Sequence, residues 1–314
     1  VKVIARAGIE EVAWVYLGDY GDGRRVEFVE SLQPPIPREE KWVLLVSTLL
    51  GCPVGCPFCD AGGDYAGMLS AEEVFQQIDY PVRRRYPSGS VPAEKWKIQF
   101  ARMGEPALNP AVLTVLDELP SRYDAPGLLP SLSTVAPASS DQFFRELLAI
   151  KRRRYSGGRF QLQFSLHTTD DQRRDELVPV KKWSFGQIAD YASDWYEVGD
   201  RKVTLNFALA EDSPLDPTVL LRHFSPERFL LKITPLNPTF AAKAAGLSSY
   251  INPDLPDEAD PRLTRLREAG YRVLLSIGER EEDRIGSNCG QYIRRYLADN
   301  ADLPGAYDYS LTQL

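Results

Sequence analysis

From Lys41 onward, short apolar strand-like runs alternate with amphipathic helical patterns, and this alternation restricts the fold more than any other feature. The strand candidates are "WVLLVST" (42–48), "WKIQFA" (96–101), "LPSLST" (129–134), "FQLQFSL" (160–166), "VTLNFAL" (203–209) and "FLLKITP" (229–235). Between them, "LSAEEVFQQI" opens with Ser70 and places Glu73 three residues later, the pattern of a capping box. "NPAVLTVLDEL", "SSDQFFRELLAI", "SFGQIADYASDWY" and "DPTVLLRHF" carry the helical period. A further helix near 258–270 and a late strand, "YRVLLSI", follow. Six strand–helix units predict a parallel α/β sheet. Residues 1–40 form a separate small β unit, in which "EVAWVYL" and "RRVEFVE" are joined by the turn "GDYGDG" and followed by the Pro-rich connector "LQPPIPREE". No internal repeat is visible.

Of the 314 residues, 43% are hydrophobic and 26% charged, enough apolar material for a sizeable core. No run of about 18 apolar residues exists, so no membrane span is expected. The N-terminus lacks an apolar signal core, and a cytoplasmic location is expected. The net charge of −7 gives little non-specific attraction to phosphates. Two basic clusters, "VRRRY" (82–86) and "KRRRYSGGR" (151–159), read as solvated surface at helix ends, where cations suit the dipole.

Three of the four cysteines, Cys52, Cys56 and Cys59, crowd into "GCPVGCPFCDAGG" (51–63). In a reducing compartment such a cluster binds metal or does redox chemistry more often than it forms disulfides. The spacing is C-x3-C-x2-C, after a strand and before a helix, which places it at the strand's C-terminal end, where parallel α/β folds carry their chemistry. Soft thiolates suit iron–sulfur clusters, zinc or Cu(I). A closed zinc site wants four ligands, and the two histidines, His167 and His223, lack finger spacing. Three thiolates on a [4Fe–4S] cluster would leave one iron open.

With Phe58 just before the third cysteine, this loop resembles the signature of radical S-adenosylmethionine (SAM) enzymes. "ARMGEPALN" (101–109) resembles the "MGxGEPxxN" segment of the RlmN/Cfr-type methyltransferases of that superfamily. "LSTVA" (132–136) resembles their "LSTSG", and "SLHTTDDQRRDELVPV" (165–180) their "SLHAxxDxxRxxxVPI". "ITPLNP" (233–238) and "DRIGSNCGQ" (283–291) resemble "IPxNP" and "DIxAACGQ". The motifs are collinear and span roughly residues 10–295.

The resemblance implies a partial (βα)6 TIM-like barrel with a small N-terminal β extension. The division expected is 1–40 extension and connector, 41–290 barrel and 291–314 tail. It implies a [4Fe–4S] cluster on Cys52, Cys56 and Cys59, with SAM chelating the open iron and being cleaved to a 5′-deoxyadenosyl radical. Four motifs fall at strand C-terminal ends, so a barrel-like sheet would bring them to one rim. Glu105 is the natural partner of SAM's ammonium group. Ser133, Ser165 and Asn237 suit its ribose, carboxylate or adenine edges. His167 is a candidate base, cofactor contact or turn former. By the same resemblance, Cys289 accepts a methyl group from one SAM, and the S-methyl group becomes the radical that adds to an sp2 carbon.

Two departures from the family stand out. Its resolving cysteine lies seven residues before the first cluster cysteine, and that position here is Leu45. The family's helical RNA-binding domain has no counterpart ahead of the β extension in this sequence. With the acidic balance, this favours a small-molecule, peptide or nucleotide substrate, with structured RNA as the alternative. An external electron donor of the flavodoxin or ferredoxin type is implied. Two other readings are a hydrogen-abstracting radical SAM enzyme that does not methylate Cys289, and a zinc-binding structural module.

Overall fold

The computed structural model describes residues 1–287, 292 and 308–314. The chain begins with β1 (Lys2–Ile9), β2 (Ala13–Asp19) and β3 (Arg25–Ser31). Next come β4 (Lys41–Val46), a hairpin of β5 (Leu49–Cys52) and β6 (Gly63–Met68), and α1 (Ala71–Arg85). Then follow β7 (Lys95–Phe100), α2 (Ala111–Arg122), β8 (Leu128–Thr134), α3 (Asp141–Arg154) and β9 (Gln161–Ser165). The series continues with α4 (Asp171–Leu177), α5 (Phe185–Trp195), β10 (Val203–Leu209), α6 (Pro217–His223) and β11 (Phe229–Pro235). It ends with α7 (Phe240–Ala244), α8 (Pro261–Glu268), β12 (Arg272–Leu275), α9 (Arg280–Ile285) and β13 (Thr312–Gln313).

One sheet runs in the order β12-β11-β10-β9-β8-β7-β4-β3-β2-β1-β13. Every pair from β4 to β12 is parallel, as helical crossovers require. From β4 to β13 the pairs are antiparallel, so the N-terminal unit extends the same sheet. Among the described residues, β12 pairs with β11 alone and not with β4, so the sheet stays open. This is the expected partial barrel, six parallel strands plus the late seventh.

The pleat decides which face meets the helices. Trp42, Leu44 and Val46 of β4 and Trp96, Ile98 and Phe100 of β7 are almost fully buried in the main core. Trp42 and Trp96 stack at 5.8 Å across the pair. The alternate residues, Lys41, Val43, Leu45, Lys95, Lys97 and Gln99, are only half-buried and line the inner face. A closed barrel fills this space with branched apolar side chains; here lysines and a glutamine stand beside Val43 and Leu45.

α1 carries the expected capping box: Ser70 Oγ accepts from the Glu73 N–H, and the Glu73 carboxylate accepts from the Ser70 N–H at 2.8 Å. The 258–270 helix is shorter, starting where Asp260 caps the N–H groups of Arg262 and Leu263 with Pro261 in the first turn. Several elements depart from the sequence reading. β1, α4, α7, α9 and β13 were not apparent, and the β5–β6 hairpin stands between the first barrel strand and α1. The exposed run "GDYAGM" of β6 has neither alternation nor β-branched residues, so no local signal marks it.

The basic clusters occupy the last turns of α1 and α3 and are paired. Arg85 bonds Glu30 and Glu10, each at 2.6 Å, fastening α1 to β3. Arg153 and Arg154 share Asp117 at 3.0 and 2.7 Å, and their bonds hold its carboxyl down at about 2. Lys151, about 1% exposed, pairs with Asp200 and donates to the Trp195 carbonyl at 2.9 Å. Burial alone would raise the Asp200 carboxyl, but the Lys151 bond and the N–H groups of Glu197 and Gly158 hold it below the ordinary range.

Lys151→Ala leaves Asp200 without its cation and should cost about 3–5 kcal/mol in urea unfolding at neutral pH. In the wild type this contribution is present above the unfolded carboxyl value and fades as pH falls through the lowered folded value. The variant's acid-side loss should be correspondingly smaller.

Candidate functional site

The cysteine loop is a turn between β5 and β6, closed by Cys59 N–H to the Cys56 carbonyl at 3.1 Å and Gly62 N–H to the Cys59 carbonyl at 3.0 Å. Gly51, at φ +70°, begins it; a Cβ there would lie 2.6 Å from the backbone oxygens of Gly63 and Asp64, so only glycine lets the strands approach. Three sets of bonds fix the loop to the barrel. Asn109 donates to the carbonyls of Thr48 and Leu69, at 2.7 and 2.8 Å, stapling the hairpin's two ends together. Thr239 Oγ1 donates to the Phe58 carbonyl at 2.8 Å. The Asp60 carboxylate accepts from the Ala241 N–H at 2.9 Å, at the start of α7.

The three thiols share one small apolar cluster with Val54, Phe58 and Ala61. Burial pushes all three thiols up, Cys59 to about 11, and for Cys56 the two neighbouring sulfurs add to it. Buried thiols that disfavour one another's ionisation call for a bound cationic centre to become thiolates. Among the described residues, no three His, Cys, Asp or Glu side chains converge on one ion. In an iron–sulfur cluster each thiolate binds a different iron.

Glu105 sits beside them, about 5% exposed. Its carboxylate accepts from Thr134 Oγ1, from the Val135 N–H at 2.9 Å and from the Ala107 N–H at 3.0 Å. The GEP and LSTVA segments are therefore joined through one side chain. Burial pushes the Glu105 carboxyl up to about 7 despite these three bonds, and none of the groups acting on it is a cation. A buried acid with its hydrogen bonds made and its charge uncompensated is suited to receive an ammonium group.

His167 follows β9 at φ +67°, a strained conformation for a non-glycine residue. Its Nδ1 accepts from the Ala208 N–H at 3.2 Å, which assigns the proton to Nε2, and its ring meets Phe58 edge-on at 4.8 Å. Burial, then the Arg174 charge, lowers it to about 3, so the imidazole is neutral at physiological pH. Ser133 Oγ accepts from Gln163 Nε2 at 3.2 Å. Ser165 lies beside Asn206 in register, and Asn237 follows β11 with its side chain half-buried. Cys289 lies outside the described residues.

Sequence reasoning passed over four residues. Thr134 neighbours the predicted Ser133 and holds Glu105. Asn109 closes the quoted "GEPALN", and Asp60 directly follows the third cysteine. The fourth, Arg102, stands where the family pattern has glycine. About 6% exposed, it bonds Glu27 of β3 at 2.6 Å and donates to the carbonyls of Gly286 and Ser287 at 2.9 and 3.0 Å. The barrel, the N-terminal extension and the end of the described chain before Cys289 meet on this one guanidinium.

No family model matches the chain. It is 29% identical over 289 residues to a probable dual-specificity RNA methyltransferase RlmN of Parafrankia sp. (strain EAN1pec), covering 86% of this chain and 69% of that protein. The proteins of the same description from Frankia alni and Thermobifida fusca are each 28% identical over 86% of this chain. The chain spans 62% of the former and 71% of the latter. The chain resembles the RlmN/Cfr-type radical SAM methyltransferases. The likeness supports an enzyme of this kind, with SAM and a [4Fe–4S] cluster as its cofactors. A crystal structure of a radical SAM methyltransferase from Sphaerobacter thermophilus shares the fold, with a TM-score of 0.68 over 92% of this chain and 80% of that one at 23% identity.

Asn109→Ala removes the side-chain donors on the Thr48 and Leu69 carbonyls, leaving the Leu69 N–H to Thr48 carbonyl bond at 3.1 Å to join the hairpin ends. It should cost about 1–3 kcal/mol in chemical unfolding and lower the iron retained after anaerobic reconstitution.

Proposed function

We propose that this chain is a radical SAM methyltransferase that carries a one-carbon unit on Cys289 to an sp2 carbon of a substrate other than ribosomal RNA. The observation that carries the reading is the meeting of three separate motifs on the cysteine loop. Glu105, held by Thr134, lies against the thiols, His167 packs on Phe58, and the segment after β11 holds the loop through Thr239. Cys52, Cys56 and Cys59 hold the cluster, and Glu105 takes the ammonium of SAM. Ser133, Ser165, His167 and Asn237 line the rest of the cofactor's rim. When bound, the cluster and SAM supply an electron, a hydrogen-abstracting radical and an electrophilic methyl group. The neutral His167 positions and does not exchange protons, since its Nδ1 is engaged by backbone. A flavodoxin- or ferredoxin-type donor supplies the electrons.

The substrate assignment rests on the acidic balance of the chain, which gives little attraction to RNA phosphates. Leu45, half-buried on β4, favours a second reading, hydrogen abstraction without a methylated Cys289, because no thiol stands there to resolve an adduct.

Anaerobic reconstitution should yield a brown protein with about four irons per chain, lost in Cys56→Ser. After incubation with methyl-deuterated SAM, the peptide containing Cys289 should gain one deuterated methyl group. An unmodified Cys289 alongside 5′-deoxyadenosine formation would leave only the second reading, and a colourless zinc protein would end both. Methyl transfer to ribosomal RNA would overturn the substrate assignment.

Glu105→Gln removes the charge beside the thiols. SAM should bind about 10–100-fold more weakly, the equivalent of about 1.5–3 kcal/mol for a hydrogen bond to a charged group, with iron content retained.

A further inference from the structure

Arg102 stands just beyond β7, three residues before Glu105, where the family pattern has glycine. Its backbone is fixed at the rim. The Arg102 N–H donates to the Val46 carbonyl at 3.2 Å, and the Met103 N–H donates to Ser47 Oγ at 3.2 Å. The Met103 carbonyl in turn accepts from the N–H groups of Thr48 and Leu49, at 2.8 and 3.2 Å. The side chain therefore starts from a rigid base beside the cysteine hairpin.

The buried guanidinium divides its donors among three acceptors. Nη2 donates to Glu27 Oε2 at 2.6 Å and to the Gly286 carbonyl at 2.9 Å, and Nη1 donates to the Ser287 carbonyl at 3.0 Å. Gly286 ends α9 at φ +73°, and the Ser287 N–H returns to the Glu282 carbonyl at 2.9 Å. α9 is itself seated on the N-terminal extension. Ser31 Oγ of β3 donates to the Glu282 carboxylate at 3.0 Å, and the fully buried Ile285 packs against Gly8 of β1. A single cation suffices to balance Glu27. The two carbonyl bonds go beyond charge compensation, and a planar fork holds several oxygens at set angles where an ammonium acts as a point charge.

We propose that Arg102 is a positioning residue: it holds the Gly286–Ser287 backbone, and through it Cys289, in fixed relation to the turn that carries Glu105. Cys289 is two residues beyond Ser287, a reach of at most about 7 Å of extended chain, so what fixes Ser287 confines the thiol. The proposal rests on the methyl-carrier reading of Cys289. In that transfer the thiol gives its proton to solvent, its sulfur bonds the methyl carbon, and the pair of the broken bond stays with the sulfur that leaves. Reacting atoms must be aligned, and a misplacement of about 1 Å costs about 100-fold in rate. Arg102 acts through backbone, so its effect falls on the rate at saturating SAM and not on SAM affinity or iron content.

Two variants separate this role from a merely structural one. Arg102→Lys keeps a cation for Glu27 but loses the fork, and the double variant Arg102→Met with Glu27→Gln removes both buried charges together. The full chain is reconstituted anaerobically, and its iron content and SAM affinity are measured. Labelling of Cys289 by methyl-deuterated SAM is followed by peptide mass, and amide hydrogen exchange of the 280–287 segment is read without SAM. At saturating SAM the labelling rate should fall about tenfold or more in both variants, with SAM affinity and iron content within about twofold of wild type. Exchange at Gly286 and Ser287 should rise about tenfold or more, with β7 unchanged. Wild-type labelling in either variant, or unchanged exchange at both amides, overturns the proposal. A rate that falls only in step with lost iron or SAM affinity makes Arg102 structural and overturns it as well. An unlabelled Cys289 in the wild type ends the methyl-carrier reading instead, and the anchor then stands or falls on the exchange.

Discussion

The arrangement at the rim depends on one buried carboxylate. Glu105 leaves β7, accepts from Thr134 and Val135 at the end of β8, and caps its own turn through Ala107. Adjacent parallel strands are thereby locked at their C-terminal ends, and the cysteine loop rests against the result. The cost of this lock is a buried acid with no counter-cation, beside three thiols that burial also holds neutral. The site is thus built as a concentration of latent negative charge. A cationic cluster iron and an ammonium group are the species that relieve it, and this is the physical sense in which the residues fit SAM and a [4Fe–4S] centre.

Around that centre the chain compensates its charges locally. At the periphery, clusters at helix ends close on acids of neighbouring elements: Arg85 on Glu10 and Glu30, Lys151 on Asp200. Arg102 does the same in the core with Glu27 and adds two carbonyls from the segment before Cys289. A glycine at that position, as in the family pattern, could make none of these bonds.

Much of the barrel was legible in the sequence. The runs at 203–209 and 229–235 are strands over those same residues, and Ser70 with Glu73 forms the capping box read from spacing alone. These signals are local: alternation at period two and a side chain reaching its own turn. The β5–β6 hairpin was hidden because β6 has no buried face to impose a pattern. At the candidate site, the cysteines and Glu105 were visible through their motifs. Thr134, Asn109, Asp60 and Arg102 were not, because each works by contacting backbone or charge far away in the chain, and a lone polar residue gives no sign of what it will meet.

The sequence by itself determined the strand–helix alternation, the helix caps and the clustering of three thiols in one turn, because those depend on residues within a few positions of one another. Only the tertiary structure decided that the barrel stays open, that the N-terminal strands extend its sheet, and that Arg102 meets the carbonyls of Gly286 and Ser287. Those outcomes depend on sheet register and curl, which bring together residues 184 and 185 positions apart, and no local period encodes that distance.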